Sequence, residues 1–209
     1  MKNWFIKGLI LLIICLFLLK WTDKIWGRKI SNLPHEQYLK VETGDLLFRS
    51  NSYYLAQSRY FYKSGIPGHL AIVLDSGEFS SIDPELGNCK VIEARLFDHS
   101  QKKWVCNVGI TQAAENFGPS RGRRFLLKTH LNDDQKQQLI QYVMAQQGKP
   151  FDLLAPKNDQ NRFNCATFVR QAFLQSSGTD LDSDKGRIVF PNDILKNSLF
   201  DKENSRIWF

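Results

Sequence analysis

Between residues 44 and 127 the chain carries five apolar runs of strand length, and two segments with helical periodicity follow them; this succession most constrains the fold. The runs 46–48, 69–74, 91–94, 104–110 and 124–127 are too short for helices. Turn residues such as Gly65-Ile66-Pro67-Gly68 and Asp75-Ser76-Gly77 bound them, so they read as buried strands. A helix is expected over 133–147. Asn132 is its N-cap, Asp133 and Asp134 suit its first turn, and Gly148 ends it. Leu139, Ile140, Val143 and Met144 supply its apolar face. A second helix is expected over 165–176, where Cys165, Phe168, Val169, Ala172 and Phe173 share one face and Gly178 is the stop. Segments 52–64 and 111–117 read as further helices. Strands in the middle with helices early and late imply an α+β fold, a mostly antiparallel sheet packed against helices.

Upstream lies a different kind of sequence. Residues 8–19 are uncharged, and Trp4, Lys7, Lys20 and Trp21 flank them. Counted with those flanks the stretch is about eighteen residues, or about 27 Å of helix, close to a bilayer core of about 30 Å. Lysines there can snorkel, and tryptophans suit the interface. No small-residue cleavage site follows the run. The expectation is therefore an uncleaved N-terminal transmembrane anchor over 1–22, a polar stalk over 23–42 and one domain over 43–209. That makes the chain a single-pass protein of a bacterial inner membrane. Its orientation is left open by the basic residues on both sides, with the periplasmic or outer face preferred.

Charge supports this division. The net charge is +7, and +5 of it falls within residues 1–29. Anionic lipid rather than nucleic acid is the partner such a distribution suits. The cluster Arg121, Arg123, Arg124 and Lys128 then reads as a solvated face. No spacing typical of metal ligands and no phosphate-cradling glycine loop occurs, so neither a metal nor a cofactor is expected.

Cys165 is the residue richest in chemistry. Placed after Asn164 at the first turn of a helix, a thiol meets unpaired backbone N–H groups and the positive end of the helix dipole, which favour thiolate. The same N–H groups could hold an oxyanion. His69, at the mouth of a strand, is the candidate base. Glu93 is a charge inside an apolar strand, and a carboxylate there is either solvated or paired. A hairpin register that sets His69 directly opposite Glu93 brings carboxylate and imidazole within reach. Cys165, His69 and Glu93 then have the roles of nucleophile, base and orienting acid. Asp98 and His99 are alternatives for the third role. Cys89 and Cys106 could pair as a disulfide in an exported domain.

The ordered set Gly44-Asp45-Leu46-Leu47-Phe48, Gly68-His69-Leu70-Ala71-Ile72-Val73, Val91-Ile92-Glu93-Ala94 and Phe163-Asn164-Cys165-Ala166-Thr167-Phe168-Val169 resembles the YiiX/YebB-like branch of the NlpC-type cysteine hydrolases. Gly148-Lys149-Pro150-Phe151-Asp152 and Phe190-Pro191-Asn192-Asp193-Ile194 also look like segments of it, although Phe151 stands where the branch often has tyrosine. The resemblance covers about residues 43–195. It implies a permuted papain-like fold in which histidine precedes cysteine, with Cys165 the nucleophile, His69 the base and Glu93 the third polar residue. The expected function is a membrane-anchored cysteine hydrolase of the peptidase or amidase kind. It would cleave an amide or peptide-like bond, as in cell-wall peptides, through an acyl-enzyme. Two alternatives stand beside it: an acyltransferase or lipid-cleaving enzyme using the same pair, and a non-catalytic membrane-tethered binding module.

Overall fold

Continuous burial along the central strands builds a six-stranded sheet with two covered faces. The structure is a computed structural model and describes residues 38–49, 68–80, 89–98, 101–117, 124–182, 186–195, 197 and 206–208. In chain order the elements are β1 (Tyr38–Val41), β2 (Leu46–Arg49), β3 (His69–Val73), β4 (Gly77–Ser80), β5 (Lys90–Asp98), β6 (Lys103–Gln112), α1 (Ala113–Phe117), β7 (Arg124–Leu127), α2 (Asp133–Ala145), α3 (Cys165–Ser177), α4 (Pro191–Leu195) and β8 (Arg206–Trp208). Six strands pair in the order β6-β5-β3-β2-β7-β8, antiparallel throughout. β1 and β4 form a separate antiparallel pair. This is the expected α+β architecture, an antiparallel sheet packed against helices.

Side chains alternate across a strand, and two buried clusters follow from it. On one face Leu46, Phe48, Leu70, Ile72, Ile92 and Ala94 pack with Leu139 and Val143 of α2 and with Phe168, Val169, Ala172 and Phe173 of α3. On the other, Leu47, Ala71, Val73, Val91 and Leu126 pack with Ala113 and Phe117 of α1. Because both faces are covered, β2 and β3 read as continuous apolar runs rather than alternating ones.

The helix signals act at the atomic level. Asn132 and Gln135 form a reciprocal capping box at α2, and Gly148 follows its end at φ +81°. Asn164 accepts from the Thr167 N–H at 2.7 Å, and Gly178 closes α3 in the left-handed conformation at φ +70°. Only Leu139 and Val143 of the expected α2 face are buried, whereas Met144 is exposed at 41 %. α2 is a layer over α3, and the narrow stripe it buries excludes Met144.

Other expectations are corrected. No helix among the described residues is long and apolar enough to cross a membrane. The longest described, α2 and α3, have thirteen residues each, about 20 Å against the roughly 30 Å a span requires. The described residues accordingly form an α+β fold with no membrane-crossing helix among them, and the anchor, the membrane partner and the single-pass inner-membrane location are withdrawn. The charge-free run behind that reading spans residues 8–19. It lies outside the described residues, as does the expected helix 52–64. Residues 38–41, read as the end of a stalk, form β1. Cys89 and Cys106 are free, one buried and one exposed.

Candidate functional site

β3 is the element around which the site assembles. It pairs along its whole length with β2, where Arg49 lies opposite His69. Its ladder with β5 contains only Ile72 opposite Ile92 and Val73 opposite Val91. The expected register, His69 opposite Glu93, is therefore displaced by two residues. An even displacement keeps every side chain on its face, so His69 and Glu93 become diagonal neighbours instead of direct ones. Beyond Ile72 the edge of β3 toward β5 is unpaired, and Cys165 docks there. Its Sγ lies 4.0 Å from the Gly68 carbonyl oxygen, and the backbone N–H groups of Leu70 and Ala166 favour its charged form.

The approach is close because Gly68 has no side chain. A Cβ at that position would stand 2.3 Å from the Arg49 carbonyl oxygen and 2.7 Å from the Phe48 ring. The Cys165 end is fixed by Asn164. Besides capping α3, Asn164 donates from Nδ2 to the carbonyl oxygens of Leu153 and Val189, at 3.3 and 3.2 Å. The two outlying motifs are thereby explained. Segment 148–152 runs along the edge of β6 through Val108 N–H to Lys149 O and Phe151 N–H to Cys106 O, and then joins Phe163. Segment 189–194 presents the Val189 carbonyl and starts α4 with Pro191 at a position that lacks a hydrogen-bond partner in any helix.

The three expected residues converge. His69 Nε2 bonds Glu93 Oε2, and the ring is near enough to the Cys165 thiol for each to shift the other's pKa. Glu93 is fully buried and His69 is 12 % exposed. Three contacts around them were not anticipated. Thr111 donates its hydroxyl to Glu93 Oε1 at 2.7 Å, Asn116 Nδ2 donates to the same oxygen, and the Phe117 ring stacks on His69 at 5.9 Å between centroids. Thr111, Asn116 and Phe117 lie in the 104–117 stretch, whose polar residues carry no motif. Their only signal was an uncompensated charge at Glu93 that required donors. Asp98 is engaged elsewhere, by Arg95 at 3.0 Å and by the Gln101 N–H. His99 lies outside the described residues.

The electrostatics follow from these contacts. Burial pushes the Glu93 carboxyl up, but the charge and hydrogen bond of His69, the Thr111 hydroxyl and the charge of Arg49 outweigh it and hold its pKa at about 2. Burial opposes charge on His69 too, and Arg49 adds repulsion. The Glu93 carboxylate and the hydrogen bonds to Cys165 and Glu93 nevertheless set it above the ordinary histidine value. For Cys165, burial favours the neutral thiol. The hydrogen bond and charge of His69, with the Leu70 and Ala166 N–H groups, bring it below the ordinary thiol value. The pair is biased toward thiolate and imidazolium.

No protein-family model matches the sequence, and no curated protein matches it. Among solved structures the chain is similar to the one described as metalloprotein yiiX from Escherichia coli O157:H7. The two share 14 % identity with a TM-score of 0.52, over 82 % of this chain and 97 % of that one. At that identity the likeness establishes a shared fold and nothing of activity. The reading of the chain as a membrane-anchored cysteine hydrolase, peptidase or amidase is corrected here. The relative is described as a metalloprotein rather than a hydrolase, and no described helix supplies the anchor. The acyltransferase and tethered-module alternatives are withdrawn with it. The comparisons support an α+β domain distantly similar in fold to yiiX.

Proposed function

We propose that the chain carries a reactive-thiol centre in which Cys165 is the nucleophile, His69 its proton acceptor and Glu93 the group that holds the imidazole. The observation that carries this reading is the position of the His69 ring, bonded to Glu93 through Nε2 and beside Cys165, whose Sγ lies 4.0 Å from the carbonyl oxygen of the preceding residue, Gly68. Transfer of the thiol proton to the ring gives a thiolate, and the thiolate forms a carbon–sulfur bond at an electrophilic carbon as the bond from that carbon to a leaving group breaks and the group departs with its electron pair. Glu93 stays ionised throughout and orients the ring. The order of parts, a histidine strand ahead of a cysteine helix, supports kinship with the YiiX/YebB-like branch that the motifs resemble.

The yiiX structure is described as that of a metalloprotein. Among the described residues no group of three or more His, Cys, Asp and Glu side chains is placed to hold an ion. The donors at the site are directed at one another: Glu93 Oε2 at His69, and Glu93 Oε1 at Thr111 and Asn116. No step is assigned to a metal.

The test is the rate of Cys165 alkylation by iodoacetamide against pH, followed on the Cys165 peptide by mass spectrometry. The thiolate displaces iodide, so the rate reports thiolate directly. The expected profile has its midpoint well below the ordinary value of about 8.5, and His69→Ala moves it up. A midpoint near that value, indifferent to His69→Ala, overturns the reading.

A further inference from the structure

Glu93 Oε1 and Oε2 have different environments. Oε2 bonds His69. Oε1 takes the Thr111 hydroxyl and the Asn116 amide, with Arg95 Nη1 3.9 Å away. Thr111 is near the end of β6, and Asn116 sits on the short helix α1 that directly follows it. That helix lies on the sheet face away from α3, and its Phe117 stacks on the same imidazole. Asn116 is 1 % exposed, and its Oδ1 is buried without a hydrogen-bond partner among the described residues. A buried polar atom left unpaired is costly, so the interaction that retains this side chain is its Nδ2 donation to Glu93.

We propose that Thr111 and Asn116 are positioning residues of the thiol centre, which act through Glu93 Oε1 to keep Oε2 on His69 and so hold the ring toward Cys165. The inference rests on the reactive-thiol reading. A carboxylate with two donors on one oxygen cannot turn about its terminal bond without losing both, so the other oxygen is fixed in direction. Removing the donors frees that rotation in a buried site, the imidazolium loses its aligned partner, and the thiolate loses its counter-charge. The charged and titratable groups around Glu93 are His69 on β3, Arg49 on β2 and Arg95 on β5, with Cys165 beyond the ring. They are unchanged in the variants below.

The experiment is the Cys165 alkylation profile of the full chain carrying Thr111→Val, Asn116→Leu, both together, or Thr111→Ser. The first two are close in size to the residues they replace. The expected result is an upward shift of the midpoint in the double variant, with alkylation at pH 6 at least about threefold slower relative to its own plateau, half a pKa unit or more. Thr111→Ser keeps the hydroxyl and retains the parent profile. A purely structural role would lower the thermal midpoint and leave the alkylation midpoint in place. An unchanged or lowered alkylation midpoint in folded variants overturns the proposal. If the double variant does not fold, Thr111→Val alone decides it on the same criterion. A parent midpoint already near 8.5 is a separate result, since it removes the thiol centre itself.

Discussion

Cys165 and His69 meet although their elements belong to opposite faces of the sheet. α3 packs on the face of Leu70 and Ile72. His69 alternates with Leu70, shares the face of Ala71 and Val73, and stacks on Phe117 there. The contact is made at the opening where β3 has left β5, since their ladder ends at Ile72. Cys165 enters at the helix tip and uses the backbone of Gly68 and Leu70 that the missing ladder leaves available. The proposed site is thus a consequence of interrupted pairing, and four predictions test how it is held.

Gly68→Ala should disturb the junction directly. Its Cβ would stand 2.3 Å from the Arg49 carbonyl oxygen, and neither backbone can yield without moving β2 against β3. The expected cost is about 1–3 kcal/mol, as for other overpacked sites, together with slower Cys165 alkylation. Thermal denaturation and the alkylation rate check the two effects. A fully stable variant of parent reactivity would show that the strands separate there freely.

Asn164→Ala removes an N-cap and leaves the Leu153 and Val189 carbonyls without their donor. Loss of the cap costs about 1 kcal/mol, and unpairing the buried carbonyl side adds about as much again. Urea denaturation should show a loss of about 2 kcal/mol. Asn164→Ser, which can cap but cannot reach both carbonyls, should recover about half of it.

Acid should weaken the fold through Glu93. Its folded pKa is about 2 against an ordinary value of 4.5. A depressed carboxyl stabilises the fold above the unfolded pKa, and that stability is lost as pH falls from about 4.5 to about 2. The difference corresponds to about 3 kcal/mol at most. In Glu93→Gln the thermal midpoint should therefore fall less steeply over this interval than in the parent. Parallel curves would mean that Glu93 titrates normally. His69 has the opposite sign: its raised pKa contributes stability at low pH that disappears as pH rises through the folded value.

The described cysteines should label in a defined order. Burial and the nearby Asp75 charge push the Cys89 thiol up to about 12, so it should resist iodoacetamide at neutral pH until the protein unfolds. Cys165 is also buried but is held below the ordinary thiol value, and should label in the native state. Peptide mapping after a short exposure at pH 7 checks this. Native labelling of Cys89 ahead of Cys165 would contradict the electrostatic account.

Much of this was legible in the residues because it is local. Asn132, Asn164, Gly148 and Gly178 mark helix ends by their own hydrogen-bonding capacity or backbone freedom, so both long helices stand almost where their punctuation puts them. The apolar runs of β2 and β3 identify strands buried on both sides. Cys165, His69 and Glu93 stood out for similar reasons: a thiol after a cap, an imidazole after a turn and a charge in an apolar strand. What lay beyond local reading was pairing between distant segments. The two-residue displacement of β5 depends on where the β3–β5 ladder stops, and no residue of either strand encodes that by itself. Thr111 and Asn116 reach Glu93 only because β6 folds back beside β5 and α1 returns over the sheet. The membrane reading rested on the hydropathy of residues 8–19, which lie outside the described residues, and no described helix is long and apolar enough to cross a membrane. Sequence alone determined which groups were chemically unusual. Tertiary structure decided which of them touch, because hydrogen bonds and charge pairs act over a few ångströms in space and are indifferent to separation along the chain.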